Sequence, residues 1–147
     1  MAALSDYLEN KLVDFLFRGQ TFTPATTLYV ALFTTTDNDA GTTRVEVSGG
    51  SYARVAVPSS LANWAGTQGT GTTAASSGTS GTTSNNNAIT FAAPTASWGS
   101  VAGMGLFDAA TGGNEYCYGA LTTPKTINNG DPAPSFSAAA LSVQIDN

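Results

Sequence analysis

Any chemistry in this chain would have to come from carboxylates. Asp37 and Asp39 stand close together in TTTDNDAG, Asp108 and Glu115 flank a Gly-rich stretch, and histidine is absent. Paired carboxylates can hydrolyse a glycoside when they are held across a cleft. Asp37 and Asp39, however, read as turn residues, and Asp108 and Glu115 as the two ends of a hairpin connection. Asp37, Asn38, Asp39 and Gly41 also invite comparison with an acidic calcium loop, which needs glycine at its sixth position and a bidentate Glu at its twelfth. Counting from Asp37, the glycine arrives one residue early and Ser48 stands where the Glu should be. An Asx-type turn is therefore expected, and no metal site.

Cys117 is the single cysteine, which excludes an internal disulfide and any cysteine cluster for a metal. It lies between Tyr116 and Tyr118 with no base beside it, so it reads as a small buried apolar residue and not as a nucleophile. Without histidine there is no imidazole base, no His-based triad and no His-containing zinc site. No Gly-rich phosphate loop follows a strand and opens a helix. No catalytic residue, cofactor or metal is expected, and the chain reads as one that works by contact.

The 147 residues carry a net charge of −5, with no charged side chain between Arg54 and Asp108. Nucleic-acid binding needs clustered Lys and Arg, and the five basic residues are scattered. A lone globule that relies on surface charge for solubility would not leave so long a stretch neutral. The opening MAALSDYLENKL has neither a basic n-region nor a long apolar run, so no secretory signal and no membrane partner are expected, and folding in a cytosol is.

The hairpin that carries Asp108 and Glu115 organises the rest. In WGSVAGMGLFDAATGGNEYCYGAL, Trp98 to Leu121, pairing Asp108 with Glu115 sets Phe107 against Tyr116, Gly105 against Tyr118 and Gly103 against Ala120. It also sets Leu106 against Cys117, Met104 against Gly119 and Ala102 against Leu121. Neither face alternates apolar with polar, so both need cover. Gly103 and Gly105 leave room for Tyr118 to lie across the backbone.

Residues 2–19 predict a helix capped by Ser5, with Asp6 and Glu9 in the first turn and Gly19 as the stop. Leu4, Leu8, Leu12, Phe15 and Leu16 fall on one stripe, expected to lie on the sheet or on a neighbouring molecule, with Val13 and Phe17 on another side. On that placement, Leu12→Asp and Phe15→Asp are each expected to cost more than about 3 kcal/mol. Thr27 to Phe33 reads as a strand apolar on both faces. Thr42 to Val47 and Ser51 to Val57 read as a hairpin around SGG, with Arg44, Glu46 and Arg54 pairing across it. Residues 59–87, rich in Gly, Thr, Ser and Asn, read as a flexible loop whose apolar bulk is Leu61 and Trp64. Ala88 to Phe91 resumes strand character. Ala138 to Ile145 closes the chain as a half-buried strand, with Leu141, Val143 and Ile145 inward and Ser142, Gln144 and Asp146 outward.

These elements predict one domain over 1–147. It comprises a helix at 2–19, an antiparallel β-sandwich of jelly-roll or Greek-key type from 20–58 and 88–147, and the loop insertion 59–87. Residues expected at an interface are Leu8, Leu12, Phe15, Leu16, Phe17, Trp64, Phe107, Tyr116 and Tyr118.

Four stretches carry a family resemblance: SDYLENKLVDFLFRG (Ser5 to Gly19), TLYVALFTTTDNDAG (Thr27 to Gly41), SGGSYARVAV (Ser48 to Val57) and ITFAAPTASWGSVAGMGLFDAATGGNEYCYGALTTPKTINNGD (Ile89 to Asp131). Through them the chain resembles small structural proteins of tailed bacteriophages, tail-fibre or minor virion proteins. Leu61 to Asn87 lies outside the likeness. The resemblance implies a virion protein, assembled in the bacterial cytoplasm, and brings no catalytic residue with it. Two placements follow. A capsid decoration or cement protein would form a homo-oligomer, a trimer by expectation, on the major capsid protein. A tail-fibre or baseplate component would contact tail proteins and could present the sandwich to host glycans. The short length, with no shaft and no repeats, favours decoration.

Overall fold

The computed structural model describes residues 2–145; the outward placement expected for Asp146 lies outside them. The chain is all-β with antiparallel sheets and a single N-terminal helix. Its elements are β1 (Ala3–Leu4), α1 (Asp6–Phe17), β2 (Thr27–Thr35), β3 (Val45–Glu46), β4 (Val55–Pro58), β5 (Thr82–Ser84), β6 (Ile89–Thr90), β7 (Gly99–Phe107), β8 (Glu115–Ile127), β9 (Ser135–Phe136) and β10 (Ser142–Gln144). The main sheet has the order β1-β8-β7-β2-β3, with β4 also on β2. Two small two-stranded sheets pair β5 with β10 and β6 with β9.

The β7–β8 hairpin has the register that its residues dictate: Gly103 opposite Ala120, Met104 opposite Gly119, Gly105 opposite Tyr118 and Leu106 opposite Cys117. It departs at both ends. A bulge after Leu106 sets Phe107 against Glu115, and a second irregularity between Val101 and Gly103 shifts the pairing there. The first bulge leaves Tyr116 as the extra residue, and its ring joins the same core as Leu106 and Cys117.

That core lies on the face of the main sheet bearing Val30, Leu32, Met104 and Leu106. Ile89, Phe91, Leu141 and Val143 from around the small sheets complete it. The opposite face holds a second, smaller cluster in which Ala31, Phe33 and Phe107 are fully buried. Phe33 and Phe107 meet edge to face with centroids 6.2 Å apart, the arrangement that aromatic quadrupoles favour. The need for cover on both faces is met, but on the second face the cover is partly guanidinium: Arg54 lies 3.6 Å and Arg44 5.1 Å from the Phe107 ring centroid.

The segment around SGG corrects an expectation. Its flanks do not pair with each other; β3 and β4 both pair with β2, Glu46 opposite Phe33 and Val55 opposite Val30. Between them the chain loops out through Gly49, Gly50 and Ser51, all at positive φ. Gly50 is required there, because a Cβ would sit 2.9 Å from Trp98 Nε1, the group that donates to the Gly50 carbonyl at 2.9 Å. Two edge segments on the long β2 replace the local hairpin. The charge pairing survives the rearrangement: Arg54 holds Glu46 in a two-point contact, Nε to Oε1 at 2.8 Å and Nη2 to Oε2 at 2.7 Å.

Loop 59–87 is not loose. Asn85 is fully buried. Its amide donates to the carbonyls of Asn87 and Ser137, both at 2.8 Å, and accepts from Leu141 N–H at 2.9 Å. Asn86 donates to the Leu61 and Thr72 carbonyls, and Asn87 to that of Ala62. Side-chain amides mimic backbone partners, so the Asn run fastens a segment that has almost no apolar side chain to bury.

The helix begins as expected. Ser5 is in extended conformation and its Oγ accepts from Leu8 N–H, while Gly19 at φ 67° terminates it. Its seat differs from expectation. Ser5 N–H donates to the Tyr116 carbonyl and Asp6 N–H to that of Asp39, both at 3.0 Å, which pins the N-terminal end to the sheet. Tyr7 stacks on Tyr116 at 6.0 Å. Toward the C-terminus contact with the sheet is lost: no residue of the helix is buried, and Phe15 is 51% exposed. A penalty of more than about 3 kcal/mol for Phe15→Asp therefore does not hold within one protomer, because little burial is there to lose.

Candidate functional site

Two places combine unusual chemistry with unusual exposure. The first is a carboxyl pair beneath the loop 36–44. Asp37 Oδ1 accepts from the N–H groups of Asn38, Thr43 and Arg44 at 2.9–3.0 Å, and Oδ2 accepts from Arg44 Nη1 at 2.7 Å. The Asx-turn reading is thus correct, and a carboxylate so fully engaged has no lone pairs left for calcium. Glu115, 71 residues away in sequence, reaches the same Arg44 nitrogen at 3.3 Å through Oε2. Its Oε1 is buried without a hydrogen-bond partner. Gly105 creates the space, since a Cβ there would overlap Glu115 Oε1 and sit 2.6 Å from Phe33 Cζ.

Burial, then the neighbouring Asp37 carboxylate, pushes the Glu115 carboxyl up to about 8, against the opposing pull of Arg44 and Arg54. Asp37 moves the other way. Burial alone would raise it, but hydrogen bonds from the Glu115 carboxyl, Arg44 and the Asn38 and Thr43 amides together hold it well below the usual carboxylate range. At neutral pH the pair carries one proton and one negative charge. Both carboxyls are buried, with Asp37 7% and Glu115 5% exposed. The arrangement holds structure and offers a substrate no approach.

The second place is the end of the helix. Val13, Phe15, Leu16 and Phe17 are 49%, 51%, 64% and 80% exposed. Val13, Leu16 and Phe17 stand at i, i+3 and i+4, a single patch. Leu8 and Leu12 are half-buried. At the seated end, Leu4 and Leu8 join Leu61, Trp64, Val143 and Ile145 in lining an open apolar groove of about 540 Å³.

The remaining interface candidates fall elsewhere. Phe107 is fully buried in the second cluster and Tyr116 is 8% exposed in the first, so neither has surface left for a partner. Tyr118 is half-buried, its hydroxyl donating to Asp39 Oδ1 at 3.0 Å. Trp64 is half-buried at the groove; Trp98 is 4% exposed with its indole N–H committed to Gly50 and presents no open ring platform for a sugar. Asp6, Glu9 and Asp39 bring their carboxylates together at the helix N-terminus, all exposed, where the positive end of the dipole favours them. Cys117 is buried, and burial pushes its thiol up to about 12, reinforced by Glu115. Among the described residues, no helix is long and apolar enough to cross a membrane.

Sequence reasoning missed the Asp37–Arg44–Glu115 cluster and the role of Asn85. The first is formed across 71 residues and leaves no local pattern. The second had a signal, three consecutive asparagines between a strand and a loop, that composition alone reads as disorder.

The fold and its two unusual places define a small antiparallel β domain with a buried carboxyl pair and an apolar helix end left exposed. The chain belongs to the family described as podophage GP4 fiber I protein gp80, whose model matches residues 3–144. It is therefore a phage virion structural protein. No curated protein matches the chain.

Proposed function

We propose that this chain is a non-catalytic subunit of the podophage tail fibre that assembles with copies of itself through the apolar last turn of α1. One observation carries the reading: Val13, Phe15, Leu16 and Phe17 make that turn apolar on nearly every side, yet all four are about half exposed or more. A helix hydrophobic all round belongs in an interior. Covering the part of each side chain that is still exposed would contribute about 1–2 kcal/mol, which in sum favours association. The family's fibre description supports the tail over the capsid shell, although the lack of a shaft or repeats favours decoration. In the tail reading the larger neighbour is another tail protein, and assembly takes place in the host cytoplasm.

The test pairs native mass spectrometry with labelling of intact particles. Wild type should form an oligomer, a trimer by expectation. Leu16→Asp/Phe17→Asp should be monomeric with unchanged melting. A wild type that stays monomeric at micromolar concentration overturns the self-assembly reading, and immunogold label confined to the head restores decoration.

A further inference from the structure

We propose that Asp37 and Glu115 form a proton-dependent latch that keeps the 36–44 loop closed on the sheet and against Asp6 at the start of α1, and that loss of the Glu115 proton opens it. The geometry rests on one guanidinium nitrogen serving two carboxyls. Arg44 Nη1 lies 2.7 Å from Asp37 Oδ2 and 3.3 Å from Glu115 Oε2, and it also donates to the Gly41 carbonyl at 2.9 Å. Arg54 pulls on Glu115 from a distance but makes no hydrogen bond to it. Its Nε and Nη2 are committed to Glu46, and its Nη1 to the Ala109 and Gly112 carbonyls. The Glu115 side chain is 4% exposed and that of Asp37 0%. A second negative charge would have to share the one guanidinium nitrogen already paired with Asp37, in a place with little access for water.

The charged and titratable groups around Glu115 come from each element packed on it. Asp37, Asp39 and Arg44 are on the loop, and Arg54 with its partner Glu46 stands at the β3–β4 edge. Asp108 is in the hairpin turn, held by Asn114, and Tyr118 is on β8 itself. Asp6 and Glu9 lie at the helix start. Asp108, Asp39, Asp6 and Glu9 are all acidic, so none relieves an ionised Glu115.

The path of motion follows from what holds the loop. Asp37 clamps its two ends through four hydrogen bonds. Asp39 then reaches the helix: its carbonyl accepts from Asp6 N–H. If Glu115 ionises, the least costly relief is for the exposed loop to lift and admit water, which breaks the Asp39–Asp6 contact while the β7–β8 ladder stays intact. The raised Glu115 carboxyl, near 8, sets the range in which this happens.

The experiment is limited trypsin proteolysis of the full chain from about pH 7 to about pH 9, normalised to an unfolded peptide carrying the same Arg44–Val45 bond. A single group titrating midway goes from about one-tenth to about nine-tenths ionised over that range, so cleavage after Arg44 should rise about tenfold, with cleavage after Arg54 unchanged. Glu115→Gln, which keeps the shape without the charge, should remove the rise. A flat wild-type profile, or an equal rise in Glu115→Gln, overturns the proposal. Should that variant fail to fold, carbon-detected NMR of the Glu115 carboxyl in wild type decides: a midpoint near 8 supports the latch, and one in the ordinary carboxylate range overturns it. None of these readouts depends on self-assembly.

Discussion

Replacing Asn85 by alanine removes the one side chain that joins the 59–87 segment to the C-terminal strand from inside. Three hydrogen bonds go: to the carbonyls of Asn87 and Ser137 and from the amide of Leu141. The backbone bonds Asn85 N–H to the Leu141 carbonyl and Ala139 N–H to the Asn85 carbonyl remain. The Leu141 N–H is stranded where Leu141 is 2% exposed, and a buried group left unpaired costs about 1–3 kcal/mol. The carbonyls of Asn87 and Ser137 belong to exposed residues, and each lost bond there costs about 1 kcal/mol. Allowing for water entering the vacated space, the sum is about 3–5 kcal/mol. For a domain of this size that corresponds to a fall in Tm of roughly 10 °C or more. Differential scanning calorimetry of Asn85→Ala beside Asn86→Ala makes the comparison, because Asn86 donates to two carbonyls from a half-exposed position and should cost about 1 kcal/mol. If Asn85→Ala melts within about 3 °C of wild type, or no lower than Asn86→Ala, the segment is not held from within.

Gly105→Ala should destabilise by more than about 2 kcal/mol in urea unfolding, because its Cβ would overlap Glu115 Oε1 and Phe33 Cζ; combining it with Glu115→Ala should recover part of the loss. Stability should also depend on pH with a definite sign. Glu115 has its carboxyl raised from 4.5 to about 8 on folding, so the folded chain keeps a proton that the unfolded chain has released, and stability falls as pH rises between those values. The slope is at most about 1.4 kcal/mol per pH unit. Asp37 contributes oppositely, its stabilisation being lost on acidification below the ordinary carboxylate range. Urea titrations at about pH 5 and pH 8 should show the higher midpoint at pH 5, with the difference removed in Glu115→Gln. Cys117 should resist iodoacetamide at neutral pH in the folded chain and react after unfolding, with mass spectrometry reading the adduct.

The parts of the fold that could be read directly from sequence are those governed by neighbours in the chain. Ser5, Gly19 and the glycines opposite Tyr118 and Ala120 each have one local arrangement that suits them, and the structure uses it. The bulge at Tyr116 gave no sign, because Phe107 and Tyr116 are both apolar and either register buries them. The SGG hairpin failed for a different reason. A Gly-rich turn between two strands satisfies local rules, but β2 offered both strands a longer apolar partner, and tertiary pairing prevailed over the turn. For the candidate site, the helical stripe revealed which residues are apolar but not which of them the sheet covers. That depends on the angle at which Ser5 and Asp6 are pinned.

The sheet has a vulnerable side and a defence built into it. Among the described residues, β8 pairs on the flank that β1 covers only at Cys117 and Tyr118, so the strand from Gly119 to Ile127 runs on there without a described strand partner. A chain with so few charges risks unwanted strand-to-strand growth into fibrils at such an edge. Pro124 and Lys125 stand within it: proline withholds an amide, and lysine would bury its charge if another strand docked. At the opposite edge, β3 is only two residues long and β4 ends at Pro58. Amyloid-like stacking is thus discouraged on both flanks, leaving orderly packing through side chains as the open route for joining copies.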